Sequence, residues 1–194
     1  MKMAQLMMQA KIKECKFPEF YDDITYRRFN GTLEDIDTWV DICRNGLGSE
    51  TDGREKYDNC MLGRRGYKPS DTFFVLKDGC PVATVTAVVY EDDKMGYLHM
   101  VGSKPECRGL GIGNYMNEIA NAEFYSRGCE AAYLTTDEFR VPAIKSYLKA
   151  GYLPVEYDTG MKERWEAWLS EHDYHDIDFI DEDGNKVDTL LPTK

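Results

Sequence analysis

From Thr32 onward the apolar positions fall at helical spacing. Leu33, Ile36, Trp39, Val40 and Cys43 recur every three to four residues, behind a threonine able to cap the helix and with Glu34 and Asp35 in its first turn. Asn45 to Gly48 ends that pattern, and residues 51–63 form a second, weaker helical candidate. Upstream, Ile24 to Phe29 alternates as a first strand would, whereas residues 1–22 show little periodicity and predict a frayed start. The period then shifts to two. Thr72 to Leu76, a turn at Lys77-Asp78-Gly79, and Val82 to Tyr90 predict a hairpin, and Tyr97 to Val101 predicts a further strand after the turn at 91–94.

The second half returns to alternating element types. Met116, Ile119, Ala120 and Phe124 make one helical stripe, and Ala131 to Thr135 is short and apolar like a buried strand. Val141 to Ala150 is helical with Gly151 as its stop, and a strand near 153–157 and a helix around 162–169 follow. Ile177 to Ile180, the turn Asp181-Glu182-Asp183-Gly184-Asn185, and Lys186 to Leu190 predict a closing hairpin. Trp165, Trp168 and Leu169 read as a core-facing stripe, with a dimer surface as the alternative. No repeats or linkers interrupt this order. The prediction is one mixed α/β domain, with residues 1–22 as an extension, 23–160 as the main body and 161–194 as an acidic helix and hairpin packed on it.

Composition narrows the function. The 194 residues carry 24 Lys and Arg against 35 Asp and Glu, a net charge of −11. Twelve of those acids and only four bases lie in residues 153–194. A broad nucleic-acid-binding face needs clustered cations, so nucleic acid is not an expected partner, and a cationic partner is electrostatically favoured. No apolar run approaches the ~20 residues that cross a bilayer, so no membrane association is expected. Six scattered cysteines without a CxxC pair, and no export signal, predict reduced thiols and a cytoplasmic protein. His172 and His175 stand three apart, but no third ligand at the usual spacing accompanies them, and no metal is expected.

The chemistry concentrates in residues 97–113, YLHMVGSKPECRGLGIG. A strand runs into a glycine-rich turn and a helix begins at once. Such a junction crowds backbone N–H groups at the positive end of a helix and binds phosphate without a large basic patch. The Gly-Lys-Ser/Thr of a P-loop is absent, and so is the third glycine of a dinucleotide fingerprint. What is present is R-x-x-G-x-G, filled by Arg108, Gly111 and Gly113, with Pro105 three residues ahead. Downstream lies Ala143-Ile144-Lys145-Ser146-Tyr147-Leu148-Lys149-Ala150-Gly151-Tyr152.

These two segments, in this order, resemble the GCN5-related N-acetyltransferase (GNAT) superfamily, over roughly residues 24–157. The resemblance implies a mostly antiparallel central sheet flanked by helices. It implies an acetyl-CoA site in which Arg108, Gly109, Leu110, Gly111, Ile112, Gly113 and Asn114 hold the pyrophosphate and Met100, Val101 and Ser103 face pantetheine. Tyr147 falls at the family's frequent general acid, set to protonate the departing thiolate. Leu98-His99 resembles the place where arylalkylamine N-acetyltransferases carry a histidine, which makes His99 the candidate base. Met95 stands where histone-type members place a glutamate. Asp137 and Glu138 are candidates to dock the acceptor's ammonium group or to serve as base, or else to cap the following helix. Arg140 and Lys145 could reach the cofactor or lie in solvent. The implied activity is acetyl transfer from acetyl-CoA to a primary amine, with a small cationic acceptor favoured by the acidic balance. A protein N-terminus or lysine as acceptor, and a non-catalytic acyl-CoA-binding module, are the alternatives. A homodimer is compatible with the family.

Overall fold

The computed structural model describes residues 4–21, 23–107 and 109–190. The chain forms two compact units, one of residues 12–130 and one that joins the N-terminal residues up to Lys11 to the residues from Ala131 onward.

In the first unit, strands β2 (Ile24–Arg28), β3 (Thr72–Lys77), β4 (Cys80–Tyr90) and β5 (Met95–Ser103) pair antiparallel in that order. Helices α1 (Leu33–Cys43), α2 (Arg54–Cys60) and α3 (Ile112–Ser126) cover them. Neighbouring residues on a strand point to opposite faces, and Phe73 and Phe74 show where each helix lies. Phe73 packs on Tyr26, which meets Tyr115 of α3, whereas Phe74 joins Phe29, Trp39 and Tyr57 under α1 and α2. With both faces covered, β4 is buried without a break from Val82 to Val89.

The cap foreseen for α1 is present: the Thr32 hydroxyl accepts from the Asp35 N–H at 3.1 Å. The foreseen stripe needs one correction. Leu33 is exposed, and Asp35 is buried in its place. The charge is tolerated because Arg27 grips it with two hydrogen bonds of 2.7 and 3.1 Å and the Asn30 N–H adds a third. The second helix is also shorter than its pattern suggested, covering 54–60.

The second unit contains β1 (Leu6–Lys11), β6 (Ala131–Thr136), α4 (Val141–Lys149), β7 (Leu153–Glu156), α5 (Met161–Glu171), β8 (Ile177–Asp181) and β9 (Lys186–Leu190). Within the N-terminal stretch predicted to fray, Leu6–Lys11 is a strand, and residues 1–3 lie outside the described residues. β1 lies antiparallel between β6 and β7, in register Leu6 with Thr136 and Met8 with Pro154. Its Leu-Met-Met-Gln-Ala run lacks alternation because Leu6, Met8, Gln9 and Ala10 are all buried. Beyond it, β7 and β8 run parallel, and β8–β9 is the foreseen hairpin. The Asp181 carboxylate accepts from the Asn185 N–H at the hairpin's turn. Trp165, Trp168 and Leu169 are buried, as a core-facing stripe requires. No helix of the described residues is long and apolar enough to cross a membrane.

Candidate active site

The site begins on β5. Its pairing with β4 runs regularly from Met95 to His99, which faces Thr86, and resumes at Gly102, which faces Thr84. Val85 alone therefore opposes both Met100 and Val101, a β-bulge. Met100 takes the left-handed conformation, with φ of 47°. That region is uncommon for a side chain of this size and concentrates at functional positions. The extra residue bends the strand and takes backbone out of the ladder, just where the resemblance places pantetheine contacts. The sequence carried no sign of the bulge, because a left-handed methionine looks like any other.

After Ser103 the chain makes a short 3₁₀ turn, Pro105–Cys107, whose Cys107 is buried. Gly109 and Gly111 follow, both left-handed at φ of 81° and 77°. Gly111 is the N-cap of α3 and offers no side chain to the helix's first N–H groups. Its carbonyl accepts from the Tyr115 N–H at 3.1 Å, the first bond of the helix. The first-turn N–H groups of an α-helix have no intrahelical acceptor and sit at its positive end. Leu110 and Gly111 are exposed, so this end of α3 is open to a ligand. Arg108, expected to join this group, lies outside the described residues.

His99 is half-buried directly before the bulge. Its Nε2 lies 3.2 Å from the Cys60 carbonyl, which can only accept, so Nε2 carries the proton and Nδ1 the lone pair. Its ring stacks on Tyr97. Burial, with the Arg64 guanidinium adding to it, pushes the imidazole down to about 4, against partial opposition from the Cys60 carbonyl. His99 is therefore neutral at physiological pH.

On the same face, hydroxyls form a chain that sequence reasoning missed. Tyr57 and Tyr67 meet at 3.0 Å, Tyr67 and Thr72 at 3.4 Å, and Thr72 and Thr86 at 2.9 Å. Only strand register brings Thr72 beside Thr86, and Thr86 opposite His99.

In the second unit, Tyr147 lies on the buried side of α4 with Ile144, its ring edge-on to Tyr152. Asp137 accepts from Gln5 at 3.0 Å and from Arg140 at 3.1 Å. Glu138 is held by Arg164, and its backbone carbonyl accepts from the Trp168 indole at 3.0 Å. Neither acid caps α4, whose N-cap is Arg140 with no side-chain cap bond. Arg140 also lies over the Phe139 ring, and the Lys145 ammonium faces Tyr174. His172 stacks on Trp168 and bonds its carbonyl, and His175 meets Asp173. Among the described residues no group of three or more His, Cys, Asp or Glu could hold a metal ion.

This fold and this strand–glycine turn–helix junction belong to the acetyltransferase (GNAT) family, whose model matches residues 33–152. The chain is a member of that family. It is 29% identical over 158 residues to a mycothiol acetyltransferase of Thermomonospora curvata, covering 79% of this chain and 52% of that one. A mycothiol acetyltransferase of Streptomyces bingchenggensis is 27% identical over 97 residues, 50% of this chain and 32% of the relative. The chain thus spans about a third to about a half of the length of these curated relatives. Among solved structures, a GCN5-related N-acetyltransferase from Sphaerobacter thermophilus superimposes with a TM-score of 0.63 at 21% identity, covering 78% of this chain and 49% of that one. One from Kribbella flavida gives 0.54 at 22% identity, with 78% and 55% covered.

Proposed function

We propose that the protein transfers the acetyl group of acetyl-CoA to a primary amine on a small cationic molecule. The observation that carries the donor assignment is the Gly109–Asn114 junction: two left-handed glycines and an open helix end, immediately after a bulged strand. Backbone donors there suit the pyrophosphate, and backbone freed at Met100 and Val101 suits the amides of pantetheine.

In the reaction a neutral amine attacks the thioester carbon, the C–S bond breaks, and the sulfur leaves with the electron pair. Tyr147 donates a proton to that sulfur; a phenol near ~10 and a thiol near ~8.5 are close enough for transfer. The amine's surplus proton must also leave. His99 holds a lone pair on Nδ1, but with a value of about 4 it is too weak a base to keep that proton. We assign it to accept a hydrogen bond and pass the proton on to solvent. The net charge of −11 supports a cationic acceptor. Asp137 and Glu138 are both engaged by arginines, so docking an ammonium group there would require exchanging those partners. The mycothiol acetyltransferase relatives are consistent with a small-molecule acceptor.

The test is calorimetric titration of acetyl-CoA. Gly111 is strained by any side chain at its φ, whereas Gly113 lies within α3, so Gly113→Glu is the cleaner variant. Binding by wild type and its loss in Gly113→Glu, with the melting temperature kept within a few degrees, is the expected result. Equal binding by both would remove the pyrophosphate from this junction.

A further inference from the structure

The segment between β1 and β2 carries no part of either family motif, yet it reaches the glycine junction. The Tyr21 hydroxyl donates to the Leu110 carbonyl at 3.3 Å. A Cβ built on Gly111 would lie 3.8 Å from the same hydroxyl. A trans peptide is planar with its C=O and N–H pointing in opposite directions. Holding the Leu110 carbonyl on the Tyr21 side therefore aims the Gly111 N–H the other way. The next peptide is set independently, because the Gly111 carbonyl is engaged by the Tyr115 N–H. Consecutive amides at the start of α3 are thus oriented by two separate restraints, one from the helix and one from Tyr21.

Tyr21 is itself held. Its ring stands edge-on to Tyr115 with centroids 5.2 Å apart, and its backbone N–H and C=O both pair with Ile24. The Tyr115 hydroxyl donates to the Glu19 carbonyl at 3.3 Å, fastening the same segment to the first turn of α3. A side chain that only filled space beside the helix would not need its hydroxyl on a loop carbonyl.

We infer that Tyr21 is a positioning residue for the donor site: it orients the Leu110–Gly111 peptide so that the Gly111 amide serves the pyrophosphate of acetyl-CoA. The inference rests on the donor reading above. Preorganised donors bind more tightly than donors that must be ordered on binding. Losing one such restraint should weaken binding about five- to tenfold.

The test compares wild type, Tyr21→Phe and Gly113→Glu with two probes: acetyl-CoA, and S-acetylpantetheine, which lacks the pyrophosphate and nucleotide. Tyr21→Phe removes one oxygen and keeps the ring against Tyr115. The expected result is five- to tenfold weaker acetyl-CoA binding, unchanged S-acetylpantetheine binding by ligand-observed NMR, and an unchanged melting temperature. Acetyl-CoA affinity equal to wild type would overturn the inference, as would an equal loss for both probes. If Gly113→Glu also binds acetyl-CoA like wild type, the donor reading itself has failed. If Gly113→Glu loses binding and Tyr21→Phe does not, only the role of Tyr21 has.

Discussion

Replacing His99 by glutamine should change how the protein's stability depends on pH far more than its stability at pH 7. The imidazole sits near 6.5 in the unfolded chain and near 4 in the folded one. Between those values the unfolded state takes up a proton that the folded state refuses, so His99 favours folding above pH 6.5 and that advantage is lost as pH falls toward 4. From pH 7 to pH 5 the two titrations differ by about 2 kcal/mol. His99→Gln keeps an N–H able to reach the Cys60 carbonyl but has no proton to gain. Urea denaturation at pH 7 and pH 5 reads the difference directly. Wild type should lose about 2 kcal/mol more than the variant, or roughly 1 M in midpoint at an ordinary urea slope. The remaining carboxylates and histidines are common to both proteins and cancel. If the midpoints of the two proteins fall in parallel, the imidazole is not held in its neutral form by burial, and its assignment as a neutral acceptor collapses with it.

Tyr147→Phe should lower turnover about a hundredfold while acetyl-CoA affinity stays within a factor of two, read from CoA thiol release and calorimetry; unchanged turnover would remove Tyr147 as the acid. Arg127→Ala should cost about 3–5 kcal/mol in urea unfolding, because Asp71, which is fully buried, loses its 2.7 Å partner, and Glu123 loses a nearby cation. Thr32→Ala should cost about 1 kcal/mol through the lost cap of α1, and a much larger loss would mean that Thr32 does more than cap.

Features encoded in a few adjacent residues are legible in the sequence. The glycine turn leading into α3, the β3–β4 turn and the Thr32 cap each depend on local conformation that the side chains themselves announce. What escaped depends on partners distant in the chain. The β1 strand looks featureless until β6 and β7 cover it, and Asp35 looks solvent-facing until Arg27 reaches it. The bulge at Met100 arises from register between two strands, and no single residue type signals it. Tyr21 escaped for the same reason: its partner, Leu110, is 89 residues away. His99 was found by its position near the motif, but its tautomer follows from the Cys60 carbonyl and its depressed value from burial, with Arg64 adding to it.

The placement of β1 also has a consequence for how the chain is made. It leaves the ribosome well before its partners, because Leu6 pairs with Thr136 and Met8 with Pro154. At about 5–20 residues per second, an apolar strand waits on the order of ten seconds for its partners to be synthesised. During that interval residues 12–130 can complete their own sheet, while β1 presents two unpaired edges to any neighbouring chain. Nascent-chain crowding is then a condition under which this protein is exposed to misassembly.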